Sequence, residues 1–319
     1  MKVDKYINLN DGIYSIDARY ICPGNACCYL IVEGNEVAII ETGTTYSAEG
    51  IEEALLSLGF GAEKVRYVIP THVHLDHAGG AGALMKRYPN AQLAIHPRGA
   101  RHMISPDKLI AGCKAVYGEN TFKKLYGEIV PVPMERVLEI KDGEKLYLGS
   151  RALEFRHTPG HAEHHLCIWD KVSQGWFSGD TFGISYQSMS DGQDRFIMPT
   201  TSPVQFDPDK LLSSIDLMMS YTPKRFFLTH YSVVDQPEKK AASLCEQIEC
   251  YRKIAYRFRY DPDREMRILG AIKEMTLDKI GLALPRLNIS MIEKLLSLDF
   301  KLNAQGIDIW ISKQNQEKN

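Results

Sequence analysis

The stretch that most constrains this chain is Thr71-His72-Val73-His74-Leu75-Asp76-His77-Ala78-Gly79-Gly80. It follows an apolar run, Val65–Ile69, that reads as a short buried strand halted by Pro70. His72 and His74 are two apart in extended chain, so both point the same way off the strand end. Asp76 and His77 fall at the start of the next helix and aim at a second point close by. A metal ion needs several neutral imidazoles or carboxylates converging on one spot. This loop can therefore supply ligands to two neighbouring ions. The bland alternative is a histidine-rich surface loop, and the spacing between a strand and Gly-Gly speaks against it.

Three distant residues repeat the theme of a strand ending in a ligand type. His161 follows the turn Thr158-Pro159-Gly160, Asp180 follows the apolar Trp176-Phe177 and Ser178-Gly179, and His230 follows the apolar run ending in Leu228-Thr229. Open sheets assemble sites from separate segments in this way. His157, His164 and His165 are read as neighbours of the site, with one of the last two hydrogen-bonding near it. His96 and His102 are read as surface or satisfied polar groups.

Around these residues the chain alternates strand-like and helix-like runs as far as about residue 235. Glu36–Ile40, Lys145–Leu148 and residues 13–20, 26–32, 153–157 and 165–169 read as strands, and 46–58, 81–88 and 211–220 as helices. The mixture of hairpins and helices predicts an α+β fold with sheets covered by helices. Beyond residue 235 the pattern is mainly helical, over 238–259, 276–283 and 289–298. A hairpin is expected from 300–302 and 308–311 around Gly306, which together suggest a winged helix or a small helical cap. The expected division is thus 1–235 and 236–319.

Composition narrows the function. A net charge of −2 over 319 residues excludes wholesale attraction to nucleic acid or membrane. Residues 236–319 hold 15 Lys and Arg against 12 Asp and Glu, and the second candidate recognition helix, 289–298, offers Lys294 alone, which disfavours a nucleic-acid partner. No apolar run approaches the length of a bilayer span. Seven scattered cysteines behind a non-apolar N-terminus predict reduced thiols and a cytoplasmic setting. A homodimer contact is the other use foreseen for the C-terminal part.

The ordered set of 71–77, Thr158–His161, Ser178-Gly179-Asp180 and Leu228-Thr229-His230 resembles the metallo-β-lactamase-fold hydrolases, a superfamily that includes class B lactamases, glyoxalase II, lactonases and persulfide dioxygenases. The resemblance implies a four-layer αββα sandwich over about 10–235, with the site at one edge of the sheets. It implies that His72, His74 and His161 hold one divalent ion, that Asp76, His77 and His230 hold a second, and that Asp180 bridges them. Zinc is the default, with iron or manganese compatible. Hydroxide between the ions is expected to attack an ester, thioester or lactone carbonyl of a small-molecule substrate, with Asp76 as a catalytic proton shuttle. Glu41 stands where the family usually has aspartate, and Asp76 stands where many β-lactam hydrolases carry another residue, so β-lactams are not the first substrate choice. A persulfide oxygenase with one iron, and a nuclease, are the alternatives.

Overall fold

The computed structural model describes residues 5–192 and 194–316. Its first sheet contains β1 (Ile7–Asn8), β2 (Ile13–Asp17), β3 (Cys27–Glu33), β4 (Glu36–Ile40), β5 (Val65–Ile69), β6 (Gln92–Ile95) and β7 (Val137–Glu139), side by side in that order. Pairing is antiparallel from β1 to β4 and parallel from β4 to β7. The change falls where the chain first crosses through a helix, α1 (Ser47–Ser57), because parallel neighbours need a crossover where a hairpin suffices for antiparallel ones. α2 (Leu75–Ala78) and α3 (Ala81–Arg87) link β5 to β6, and α4 (Pro97–Ile104), α5 (Asp107–Tyr117) and α6 (Glu119–Tyr126) fill the next connection.

The second sheet is built from β8 (Lys145–Leu148), β9 (Arg151–His157), β10 (Leu166–Asp170) and β11 (Gly175–Gly179). After a small hairpin, β12 (Ser190–Asp191) with β13 (Asp194–Arg195), it takes up β14 (Arg225–Leu228) and β15 (Ser232–Val234), in the order β15-β14-β11-β10-β9-β8. β11 and β14 run parallel, joined through α7 (Pro208–Met219).

The two-residue side-chain period of a strand sorts the core into layers. In β14, Phe227 points between the sheets while Phe226 and Leu228 point out, and in β11 Phe177 points in while Trp176 points out. Phe177 and Phe227 stack at 4.5 Å in the central layer with Tyr29, Ile31, Ile40 and Phe155. Full burial of each such ring stabilises the sandwich by about 2–3 kcal/mol. Outside the first sheet, Leu30 and Ile39 meet Ile51, Leu55 and Leu84 of α1 and α3. Outside the second, Trp176 and Phe226 meet Leu211 and Ile215 of α7 and Leu244 of α8 (Pro237–Phe258). The architecture is the αββα sandwich that the family resemblance implied.

The C-terminal segment departs from expectation. α8 is followed by α9 (Arg264–Ala283), which begins well before Thr276, then α10 (Ile289–Leu295) and α11 (Ser297–Gln316). The hairpin expected around Gly306 is instead a continuous helix, so there is no wing among the described residues. Phe300, Ala304, Ile307 and Ile311 are buried at a helical spacing of three and four. Gly306 is a close-approach residue, not a turn: a Cβ there would lie 2.2 Å from Thr201 Oγ1. These helices share one apolar cluster with the outer face of the second sheet. Among the described residues, no helix is long and apolar enough to cross a membrane.

Candidate metal centre

The site forms where β5, β9, β11 and β14 end together. Pro70 brings β5 to a stop because it has no N–H for the ladder. Thr71 then ties the sheets, its carbonyl accepting from Leu166 N at 2.9 Å. His74 keeps an extended backbone and α2 starts directly after it. The short helix is gripped at its base by Thr42, whose hydroxyl donates to the His77 carbonyl at 2.8 Å and accepts from Gly80 N at 3.1 Å. Asp180 follows a turn that only glycine can make. Gly179 has φ of +48°, and a Cβ on it would come within 2.4 Å of Thr71 Oγ1 and 2.5 Å of His165 Nε2.

All seven residues singled out in the sequence converge. His74 Nδ1 lies 2.8 Å from His72 Nε2 and 3.2 Å from His161 Nε2. Asp76 Oδ2 lies 3.3 Å from His230 Nε2 and 3.7 Å from His77 Nε2. Asp180 stands between the groups: its Oδ2 is 3.4 Å from His161 Nε2 and its Oδ1 is 3.4 Å from His77 Nε2. His72 and His77 are fully buried, whereas the Asp76 side chain keeps 19% of its exposure, so the centre opens past His74 and Asp76.

Surrounding acceptors fix the tautomers. The Nδ1–H of His161 donates to the Thr200 carbonyl at 3.2 Å, that of His230 to the Asn25 carbonyl at 3.0 Å, and that of His77 to Glu41 Oε1 at 2.9 Å. Thr71 spends its hydroxyl proton on Glu41 Oε1 at 2.6 Å, so it accepts from His72 Nδ1–H at 3.1 Å. The Nε2 atoms of His72 and His161 therefore both present lone pairs to His74 Nδ1. A proton on His74 can bridge to one of its two neighbours but not to both, whereas a cation satisfies all three nitrogens. His77 Nε2 and Asp180 Oδ1 are buried and have no hydrogen-bond partner. Each such orphan costs about 1–3 kcal/mol unless something else meets it. Two interlocking groups of imidazole nitrogens and carboxylate oxygens, with orphaned atoms at their junction, fit divalent cations.

Electrostatics divide the two groups. Burial, then repulsion from His161, pushes His74 down to about 3, and burial with neighbouring imidazoles holds His72 and His161 low as well. Burial also opposes charge on His77 and His230, but nearby carboxylates outweigh it: Asp180, Glu41 and Asp76 raise His77, and Asp76 and Asp180 raise His230. Burial would raise Asp76, yet His77 and His230 draw it down to about 2.

Other expectations fare variously. Both His164 and His165 hydrogen-bond at the site: His165 Nε2 accepts from Asp180 N at 3.2 Å and His164 Nδ1 from Val73 N at 3.5 Å. His157 donates from Nε2 to the Ile140 carbonyl at 2.9 Å and packs on the His96 ring at 4.0 Å. His96 is buried and caps α4, accepting from Arg98 N. Met189, Phe196 and Met198, candidates for the cleft wall, are core residues, and Tyr231 packs between the sheets rather than toward substrate. Tyr186 does border the centre, edge-on to His230 at 5.9 Å. Its hydroxyl donates at 2.7 Å to Asp299 of α11, whose carboxyl is raised by burial to about 6. Asp299 falls between the helix read over 289–298 and the hairpin expected from 300, and no local signal singles it out. Glu41, foreseen only as a local departure, accepts from Thr71, Thr229 and His77 together.

Known proteins are similar to this chain. The family described as the metallo-beta-lactamase superfamily matches residues 23–230. A metallo-beta-lactamase fold-containing protein, ST1585, of Sulfurisphaera tokodaii is 26% identical over 212 residues, covering 64% of this chain and 76% of that one. The acyl-coenzyme A thioesterase MBLAC2 of Homo sapiens is 28% identical over 196 residues, covering 54% of this chain and 64% of its own length. The crystal structure of the family protein TTHA1429 from Thermus thermophilus superposes with a TM-score of 0.68 at 18% identity, over 98% of this chain and 95% of that one. With the family match spanning well over half its length, this chain belongs to the metallo-beta-lactamase superfamily.

Proposed function

We propose that the protein, a hydrolase, cleaves thioesters at a pair of divalent ions, zinc by default. His72, His74 and His161 would hold one ion, Asp76, His77 and His230 the other, with Asp180 shared. The observation that carries this reading is Asp180, which turns one oxygen to each group at 3.4 Å. Bound ions would supply hydroxide near neutral pH and polarise the substrate carbonyl. In the reaction, water adds to the acyl carbon, the carbon–sulfur bond breaks and the proton passes to the sulfur, giving an acid and a thiol. Asp76 is ionised and is the more exposed of the two site carboxylates, at 19% against 8% for Asp180, which suits it to relay that proton.

The likeness to MBLAC2 supports a thioester over a lactone. A nuclease reading loses its support with the missing wing. Division into a catalytic part, 1–235, and a helical part, 236–319, that borders the site is part of the same proposal, and so is a cytoplasmic location, with which seven free cysteines agree. The test is metal content per chain measured beside a panel of thioesters, lactones and phosphodiesters. Two ions per chain and thioester turnover that falls at least about a hundredfold in His74→Ala are expected. One iron per chain with oxygen consumed on a persulfide would overturn the proposal.

A further inference from the structure

A cleft of about 550 Å³ opens beside the centre, with Arg98, Arg101 and His102 of α4 on one wall and Glu163, His164 and Gln205 on the other. His164, which lines it, stands between it and the metal-binding residues: its ring lies 5.7 Å from that of His74 and 6.4 Å from that of His102. Arg101 Nε donates to His102 Nε2 at 3.4 Å. Two ring steps and a hydrogen bond separate His74 from this guanidinium, roughly the reach of four extended residues.

The cleft carries an excess of positive charge in a chain whose net charge is −2. Glu163 is its one lining carboxylate and is already shared, between Arg98 at 2.8 Å and Lys210. Arg101 has no carboxylate partner among the described residues. Gln205 spends its oxygen on Glu163 N at 2.8 Å, which leaves its NH₂ as the end offered to a ligand. His102 accepts from Arg101 through Nε2, which leaves its Nδ1 side for a ligand. The guanidinium fork of Arg101 matches phosphate oxygens in pairs.

We propose that this cleft is the subsite for a phosphate-bearing thiol leaving group, with Arg101 as the phosphate ligand and Arg98 and Gln205 beside it. The assignment rests on the thioesterase reading: the scissile carbonyl sits at the metal-binding residues and the carrier's flexible arm runs past His164 to the arginines.

The experiment has a binding arm and a kinetic arm on the metal-loaded protein. Coenzyme A is titrated calorimetrically into the wild type, Arg101→Ala and Arg101→Lys at low and high salt. In parallel, kcat/KM is measured for one acyl group carried on coenzyme A, on N-acetylcysteamine, which lacks phosphate, and on glutathione, which offers carboxylates. Arg101→Ala should weaken coenzyme A by about tenfold or more and lower the coenzyme A to N-acetylcysteamine selectivity ratio by the same factor, through KM. Arg101→Lys should restore part of it, and salt should weaken the wild type more than the alanine variant. Equal coenzyme A affinity in wild type and Arg101→Ala would overturn the subsite while leaving thioester hydrolysis standing. An equal loss on the glutathione ester would overturn the choice of phosphate. Failure of the wild type to cleave any thioester would sink the reaction instead, and the calorimetry would still decide the cleft.

Discussion

Asn303 on α11 holds Thr201 in place: its Oδ1 accepts from Thr201 N at 2.8 Å, across 102 positions of sequence. Its Nδ2 donates to the Pro199 carbonyl at 3.2 Å. Between these two anchors lies Thr200, whose carbonyl receives the Nδ1–H of His161. The C-terminal helix thus sets the position of the atom that fixes one ligand's tautomer, although it contributes no ligand itself.

Asn303→Leu keeps the volume but strands the Thr201 N–H and the Pro199 carbonyl. Each stranded group costs about 1–3 kcal/mol. The variant should unfold at lower denaturant, and its affinity for a first zinc or cobalt ion should fall by about tenfold. Chelator competition followed by cobalt absorption checks the second effect independently of the first. An unchanged cobalt affinity would mean that Thr200 is positioned without help from α11.

Glu41 is buried and collects four hydrogen bonds, from Thr71 N, Thr71 Oγ1, Thr229 Oγ1 and His77 Nδ1. Glu41→Gln preserves its length but replaces one accepting oxygen with a donating NH₂, which must face one of those donors. The second group of ligands, which contains His77, should lose about 10–100-fold in metal affinity. The first group should lose less, because Glu41 reaches it only through Thr71, whose hydroxyl donates to Glu41 and accepts from His72 Nδ1–H. A biphasic metal titration in which the phase that releases protons moves further than the other is the expected outcome.

How much of this was legible in the chain depends on the range of the signal. The ligands could be read because each lies at a strand end, where a two-residue period and a turn fix direction locally. The four layers were implied only by the resemblance that the ligand motifs carry, and the two-residue period accounts for them: Phe226 and Phe227 are neighbours that face opposite ways. Glu41 stands 30 positions from Thr71 and 188 from Thr229, and nothing near it in sequence announces those partners. α11 misled because Gly306 looks like a turn when its role is to let a helix approach Thr201, a tertiary cause that leaves no local trace. Arg98, Arg101 and His102 give no sign of a cleft until α4 is placed against Glu163.

Occupancy of the second metal group should depend on pH in the range where the first does not. His72, His74 and His161 have lowered pKa values, so at neutral pH they bind an ion without releasing protons. His77 and His230 have raised values, so in the metal-free protein they hold protons that a cation must displace. Because a raised pKa favours the protonated form, affinity at the second group should rise with pH and fall as pH drops below neutrality. Metal content per chain is expected to go from two toward one as pH is lowered from about 8 to 6. Calorimetry in buffers of different ionisation enthalpy should show protons released with the second ion only, and release with the first would contradict the assignment.

Gly306→Ala sets two ordinary effects against each other. In an exposed helix interior the change would stabilise α11 by about 1 kcal/mol. Here the new Cβ meets Thr201 Oγ1 at 2.2 Å and Thr201 Cβ at 2.8 Å, neither of which is the far end of a flexible side chain. Overpacking of this kind costs about 1–3 kcal/mol, so the contact should outweigh the propensity gain. The strain would be relieved by pushing the 199–202 segment off the helix, which lengthens the Asn303–Thr201 hydrogen bond and loosens Thr200 from His161. Gly306→Ala should therefore show a lower denaturant midpoint together with weakened cobalt binding at the first group, in the same direction as Asn303→Leu. If the two variants are combined, their effects on cobalt affinity should be less than additive, because both act through the same loop.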